Sequence, residues 1–149
     1  MDDLQELYQE IVMDHNWKPR NFREIERADR SADGFNPFCG DTVTLYLTIE
    51  NNVIMDVAFQ GSGCAISRAS ASMMTESVKG KSLVDAEKKF EAFHEMLTGD
   101  SPDNIALDIL GDLEILAGVS EFPTRVKCAT LSWHTLKGAL AGEKHISTE

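Results

Sequence analysis

The 149-residue sequence predicts an α+β fold, in which a small antiparallel sheet of three strands, with one hairpin clear, is covered on one side by helices. Apolar residues alternate with polar ones through residues 42–50, and alternation resumes after a short turn. Segments on both sides of this hairpin instead carry apolar residues at helical spacing. Strands grouped before a run of helices favour an antiparallel sheet over parallel β-α-β units. We expect one domain over residues 1–149.

The first two predicted elements are a helix and the hairpin. The helix begins with acidic residues, which the helix dipole favours at that end, and it ends near Asn16, because Pro19 restricts the residue before it. The first strand runs from Thr42 to Glu50 and directs alternate apolar residues to one face. Asn51 and the asparagine after it can adopt the positive φ values of a tight turn, after which a return strand runs to residue 60.

Helices fill the second half of the predicted fold. One follows the glycine-rich turn at residues 61–63 and ends before Gly80, and a second starts at a Ser82 cap and ends at Gly99. A short apolar segment follows, and Pro123 then stands near the first turn of a last helix. The predicted apolar stripe of this last helix consists of Val126, Ala129, Trp133, Leu136 and Leu140.

Charge and composition exclude several classes of protein. The formal net charge is −11, and no cluster of basic residues is visible, so nucleic acid is not an expected partner. No apolar run approaches the roughly 20 residues that span a bilayer, and the acidic N-terminus does not resemble a secretion signal. Three cysteines are an odd number and too few for a disulfide scaffold. We therefore expect a cytoplasmic protein without a membrane partner.

The three cysteines stand at boundaries between predicted elements. Cys39 lies on a proline- and glycine-containing turn just before the hairpin, and Cys64 lies on the glycine-rich turn that follows the return strand. Antiparallel neighbours place these two positions at the same edge of the sheet. Cys128 lies near the start of the last helix, off its apolar stripe, so only the tertiary fold can bring it to the other two.

Three thiols and one carboxylate make a candidate metal site. Thiolates bind zinc and iron strongly, and a tetrahedral zinc site needs four ligands. Asp41 stands two residues after Cys39 and can supply the fourth. Such a site carries a net negative charge, which Arg125, Lys127 or Arg68 would help to offset. Separated cysteines also commonly pack as small apolar residues, and their spacing here is not that of a zinc finger, so both interpretations stay open.

Other potential sites are weaker. The histidines at positions 15, 94 and 134 lie on or beside helices, where surface or hydrogen-bonded roles are commoner than ligation, and His145 lies in the C-terminal tail. The glycine-rich turn lacks the lysine and hydroxyl residues of a phosphate-binding loop, so we do not expect a nucleotide site.

Three long segments resemble the iron–sulfur cluster assembly family typified by IscU and SufU. They read Asn-Pro-Phe-Cys-Gly-Asp from Asn36, Gly-Ser-Gly-Cys-Ala-Ile-Ser-Arg-Ala-Ser-Ala-Ser-Met-Met-Thr-Glu from Gly61, and Arg-Val-Lys-Cys-Ala-Thr-Leu-Ser-Trp from Arg125. The resemblance covers nearly the whole chain. It implies a SufU/IscU-like fold, with the family's metal ligands at Cys39, Asp41, Cys64 and Cys128.

Departures from IscU favour the SufU branch. Lys127 stands where IscU-type proteins have a histidine before the third cysteine, and Glu121-Phe122-Pro123-Thr124-Arg125 replaces their Leu-Pro-Pro-Val-Lys motif. The predicted helix at about residues 80–99 resembles an insertion of SufU-type members.

The SufU resemblance implies a zinc-bound sulfur acceptor in iron–sulfur cluster assembly. Cys39 would take persulfide sulfur from a pyridoxal-phosphate-dependent, SufS-like cysteine desulfurase and pass it to downstream assembly proteins, with Cys128 as the other possible acceptor. Arg125 and Lys127 would either support the metal ligands from a position next to them or bind the partner enzyme. The chain would then be a sulfurtransferase-like accessory protein rather than an independent enzyme. Two alternatives are a scaffold for a transient iron–sulfur cluster and a structural zinc protein.

Overall fold

A four-stranded mixed sheet forms one layer of the protein. The computed structural model describes residues 3–37, 39–98 and 107–147. The strands are β1 (Arg30–Asn36), β2 (Asp41–Glu50), β3 (Val53–Ser62) and β4 (His145–Ser147), in the order β3-β2-β1-β4. Pairing is antiparallel between β1, β2 and β3, whereas β4 runs parallel to β1. The α+β class is confirmed. The prediction of three antiparallel strands is wrong in number, because a fourth, short strand, β4, pairs in parallel with β1 at the edge of the sheet.

Helices supply the other layer. They are α1 (Asp3–Trp17), α2 (Ala65–Val78), α3 (Leu83–Thr98), α4 (Leu107–Leu110) and α5 (Pro123–Leu140), and a 3₁₀ segment over Gly111–Glu121 precedes α5. The predicted cap of α3 is confirmed, since Ser82 Oγ accepts the N–H of Asp85 at 3.1 Å. Pro123 occupies the first turn of α5, as predicted. The expected end of α3 at Gly99 lies outside the described residues.

The C-terminal helix α5 is the centre of the core. It packs against β1, β2, α2 and α3, and its residues 128–133 are all buried. Trp133 is fully buried and stacks on Phe93 of α3, with ring centroids 4.9 Å apart. Cys128 is only 2% exposed. The buried surface of α5 is therefore wider than the predicted apolar stripe and includes Cys128, because the sheet and two helices enclose most of its circumference.

The hairpin follows its predicted strands with one irregularity. Alternate residues of β2 from Val43 to Leu47 are buried, as the sequence predicts. The pairing with β3 shifts between Thr48 and Ile49, because Asp56 faces Thr48 while Ile54 faces Ile49. Met55 is the extra residue of this bulge and is 48% exposed, so the simple alternation expected for the return strand breaks there.

Within residues 3–37, 39–98 and 107–147, none of the helices has both the length and the apolar composition needed to cross a bilayer.

Candidate metal centre

The β1–β2 turn presents the first cysteine. Asn36, the last residue of β1, pairs with Asp41, the first residue of β2. The Gly40 N–H donates to the Asn36 carbonyl at 2.8 Å, and Gly40 adopts a φ of 73°, a conformation that glycine accepts without steric cost. Cys39 lies within this turn and is exposed. The local sequence thus places an accessible thiol two residues before a strand that begins with a buried carboxylate.

The start of α2 presents the second cysteine. Cys64 is the N-cap residue, and its Sγ accepts the N–H of Ser67 at 3.4 Å. Its own backbone N–H donates to Asp41 Oδ1 at 3.0 Å. This bond ties the start of the helix to the start of β2, which confirms the expectation that Cys39 and Cys64 lie at one edge of the sheet.

Helix α5 brings in the third cysteine. The Cys128 Sγ lies 3.3 Å from the Cys39 Sγ. The sulfurs of Cys39 and Cys128 and a carboxylate oxygen of Asp41 all lie within 4.8 Å of one another, close enough to hold one metal ion. The structure therefore gathers three of the four predicted ligands from three different elements.

Cys64 lies beside this group rather than inside it. It stands outside the set of ligand atoms within 4.8 Å of one another, yet its charge and a hydrogen bond to it contribute to the raised pKa of the Cys128 thiol. Its sulfur is thus a neighbour of Cys128. Its assignment as the fourth ligand stays a prediction.

Burial makes the charges of this site costly. Burial, followed by hydrogen bonds with Asp41 and Cys39, raises the pKa of the Cys128 thiol far above its ordinary value. Asp41 is fully buried, and the donors that the structure describes for it are neutral: the N–H groups of Asn36 and Cys64 and the Cys128 thiol. A buried carboxylate next to two thiols without a cationic donor is unfavourable by itself, and a bound divalent cation removes that penalty. The donor set therefore fits a metal.

The three residues predicted to offset the negative charge of the site, Arg68, Arg125 and Lys127, have different surroundings. The Arg68 guanidinium lies over the Phe22 ring, 5.3 Å from its centroid, and Arg125 lies over Phe122 at 5.1 Å. Lys127 lines a groove of about 360 Å³ between α3, the 3₁₀ segment and α5. The contribution of Arg125 and Lys127 to the metal site or to partner docking stays a prediction.

The histidines lie in other surroundings. The Nδ1 of His15 is 2.7 Å from Ser72 Oγ in the interface between α1 and α2. His94 and His134 pack around the Phe90 ring, with centroids 5.7 and 5.4 Å from it.

Comparison with known proteins decides the family. Residues 7–129 match the family described as NifU-like N-terminal domain, a span that includes Cys39, Asp41, Cys64 and Cys128. The chain belongs to this family. Its resemblance to SufU and IscU proteins is confirmed at the level of whole sequences and of the fold.

Relatives of the family carry two kinds of name. A Bacillus subtilis protein named zinc-dependent sulfurtransferase SufU is 42% identical over 142 residues, which is 95% of each chain. A Streptococcus pyogenes protein named iron–sulfur cluster assembly scaffold protein IscU is 39% identical over 152 residues, covering 100% of this chain and 94% of the relative. The first name describes a zinc-dependent sulfurtransferase and the second an iron–sulfur cluster assembly scaffold.

A solved structure has the same fold. The crystal structure of a putative iron–sulfur cluster assembly scaffold protein for the SUF system, from Fervidobacterium islandicum, superimposes with a TM-score of 0.84 at 36% identity. The match covers 91% of this chain and 98% of that one. The overall arrangement of sheet and helices is therefore shared with this relative.

Sequence reasoning missed one residue of this site. Asn36 is fully buried, and its side-chain amide lies 3.3 Å from Asp41 Oδ2 and 3.6 Å from the Cys128 Sγ. Its position before Pro37 predicts only a turn residue. The burial that distinguishes Asn36 from other turn asparagines arises from the packing of α5 against β1.

Proposed function

We propose that this protein is a zinc-dependent sulfur acceptor in iron–sulfur cluster assembly, which takes persulfide sulfur from a cysteine desulfurase and passes it to downstream assembly proteins. The observation that carries the proposal is the pair formed by the exposed Cys39 and the buried Cys128, whose sulfurs are 3.3 Å apart beside a buried carboxylate. The name of the Bacillus subtilis relative supports the same function.

Cys39, Asp41 and Cys128 would hold the zinc ion, with Cys64 as the fourth ligand. Two or three soft sulfurs with one oxygen form a donor set that suits zinc. Bound zinc keeps thiols deprotonated at neutral pH and has no redox chemistry of its own. Asp41 is oriented for ligation because both of its oxygens accept N–H groups, Oδ1 from Cys64 and Oδ2 from Asn36.

Cys39 is the proposed sulfur acceptor because it combines access with proximity to the other ligands. It lies on an exposed turn, whereas Cys128 is 2% exposed within α5. The Cys39 thiolate would attack the outer sulfur of the desulfurase persulfide. A new sulfur–sulfur bond forms on Cys39, the bond within the donor persulfide breaks, and its electron pair leaves with the desulfurase cysteine as a thiolate. The transfer needs neither an oxidant nor a reductant.

A pyridoxal-phosphate-dependent, SufS-like desulfurase is the proposed partner. Phe122 is 49% exposed and carries the Arg125 guanidinium over its ring, and the two residues stand six and three positions before Cys128 at the start of α5. An exposed aromatic ring with a stacked arginine is the kind of pair that anchors protein interfaces. Activity would thus depend on a partner enzyme, which makes the chain an accessory protein. Free thiols fit the reducing cytoplasm.

A scaffold for a transient iron–sulfur cluster is the second candidate function. The Streptococcus pyogenes relative, which aligns over the whole of this chain, is named a scaffold. Three cysteines around one carboxylate can also ligate iron. Iron and sulfide bound after anaerobic reconstitution, together with cluster transfer to an acceptor protein, would favour this function over sulfur acceptance.

A desulfurase assay with metal analysis tests the proposal. The purified protein should contain about one zinc per chain and should increase the turnover of a SufS-like desulfurase. Cys39→Ala, Cys64→Ala, Cys128→Ala and Asp41→Ala should each abolish the increase, and each should also lower zinc affinity because all four residues are proposed ligands. If Cys39→Ala keeps full stimulation, the acceptor assignment is wrong. If chelation unfolds the protein but desulfurase turnover never responds to it, the zinc is structural.

A further inference from the structure

Asn36 closes the turn that carries Cys39. It is the last residue of β1, faces Asp41 across the strand pair and is fully buried. Its carbonyl accepts the Gly40 N–H at 2.8 Å, which fixes the turn from inside. The backbone of Asn36 therefore already serves the site, independently of its side chain.

The side chain of Asn36 connects two of the proposed ligands. Its Nδ2 lies 3.3 Å from Asp41 Oδ2 and 3.6 Å from the Cys128 Sγ. A primary amide nitrogen carries two N–H groups, so one can donate to each acceptor. These acceptors belong to β2 and α5, and Asn36 is 92 residues away from Cys128 in sequence. One buried amide thus holds a carboxylate and a sulfur at a fixed separation.

The three proposed ligands differ in how they are held. Asp41 accepts two N–H groups and Cys128 accepts one, whereas the contact that the structure describes for the Cys39 sulfur is with Cys128 itself. Hydrogen bonds to a ligand atom orient it and withdraw charge from it, which makes a thiolate less nucleophilic. Cys128 and Asp41 are thus anchored by N–H groups, whereas Cys39 is held by its turn and by its contact with the Cys128 sulfur.

We infer that Asn36 is a positioning residue that keeps Cys128 and Asp41 in place while Cys39 is released, and that it thereby selects Cys39 as the sulfur acceptor. This inference rests on the proposed function. Asn36 acts through the hydrogen bonds that it donates to Asp41 and Cys128. Its side chain does not contact the incoming sulfur in this mechanism.

Competitive alkylation of the zinc-loaded protein tests this role. Brief treatment with N-ethylmaleimide followed by peptide mass spectrometry gives the labelling rate of each cysteine. The wild-type chain should label Cys39 fastest. Asn36→Leu keeps a comparable side-chain volume but removes both N–H donors. It should raise the ratio of the Cys128 labelling rate to the Cys39 labelling rate by about tenfold, the lower end of the effects that follow loss of a hydrogen bond to a metal ligand. Asn36→Gln, which keeps the amide, should give a ratio nearer to that of the wild type.

A matched control separates selection from general destabilisation. Thr135→Val removes another buried hydrogen bond on α5, the one from Thr135 Oγ1 to the Leu131 carbonyl at 2.7 Å, without touching a ligand. It should leave the ratio unchanged. If Asn36→Leu does not fold, Asn36→Ser replaces it and should give an intermediate rise.

Two results overturn the inference in distinguishable ways. A wild-type chain that binds no zinc contradicts the proposed function and this inference with it. A wild-type chain that binds zinc, combined with an unchanged ratio in the folded Asn36 variants or an equal rise in Thr135→Val, contradicts the inference alone.

Discussion

The Sγ atoms of Cys39 and Cys128 lie 3.3 Å apart although 89 positions separate the two residues in the sequence. Cys39 is on an exposed turn and Cys128 is enclosed by the core. One thiol is thus available to a partner while its neighbour is shielded. This asymmetry is the physical basis for treating one cysteine as the reacting group and the other as a fixed ligand.

Asp41→Asn should weaken zinc binding while preserving the fold. The amide keeps the shape of the carboxylate, but it removes a negative charge and directs its NH2 group at one of the two donors, Asn36 or Cys64. We expect the zinc affinity, measured by competition with a chelating dye, to fall by at least the roughly 10- to 100-fold typical of perturbed metal sites. Asp33→Asn, on the exposed face of β1, is the control and should bind zinc like the wild type. Equal affinities in both variants would exclude Asp41 as a ligand.

Gly63→Ala should disturb the same carboxylate by steric overlap. A Cβ built on Gly63 collides with Asp41 Oδ1 and lies 2.9 Å from Asp41 Cγ. The carboxylate must move, and the Cys64 N–H bond to it must lengthen. We expect a loss of zinc affinity and a lower melting temperature. Gly118→Ala, where a Cβ meets no atom within 4 Å, should change neither measurement. A Gly63→Ala protein with normal zinc affinity would show that Asp41 has room to shift without consequence.

His134 should make the stability of the metal-free protein depend on pH. Burial, followed by the charges of His94 and Lys137, lowers the pKa of His134 below its usual value. The unfolded chain therefore binds a proton before the folded chain does as the pH falls. Stability should be unaffected by this residue above about pH 6.5 and should decrease below it. Chemical denaturation at pH 7.5 and 5.5 should show a smaller pH effect in His134→Phe than in the wild type, and an equal effect would contradict the assignment.

Phe93→Ala should destabilise the helix pair that supports Cys128. The Phe93 ring is fully buried and stacks on Trp133 of α5, 4.9 Å between centroids. Truncating a buried phenylalanine costs about 3–5 kcal/mol of unfolding free energy. Phe122→Ala, at a half-exposed ring, should cost no more than about 0.5 kcal/mol. Urea denaturation of both variants measures the difference, and similar losses would mean that α3 contributes little to holding α5.

Elements with a strong apolar pattern were predictable, and those without one were not. The hairpin and the helices from α1 to α3 carry periodic apolar residues near their observed bounds. Strand β1 does not, because its inward positions are Ala32, Gly34 and Asn36. Small residues are needed there since α5 passes close by: a Cβ on Gly34 would collide with Thr135 Oγ1. A pattern of small and polar residues does not indicate a strand.

Strand β4 could not be read from the sequence because it is only three residues long. Its pairing with β1 depends on tertiary packing, in which Ile146 fills the space beside Gly138 of α5. The candidate site divides in the same way. Turn chemistry and ligand type indicated Cys39, Cys64 and Asp41, whereas the burial of Cys128 and the contact of Asn36 with its sulfur arise only from the docking of α5 on the sheet.

Locating the transferred sulfur tests the central claim most directly. Zinc-loaded protein is mixed with a persulfide-bearing desulfurase, the reaction is stopped by alkylation, and peptide mass spectrometry identifies which cysteine has gained one sulfur atom. The account predicts that Cys39 carries the added sulfur and that Cys39→Ser accepts none while keeping its fold. Added sulfur on Cys128 or Cys64, with Cys39 unmodified, would contradict it.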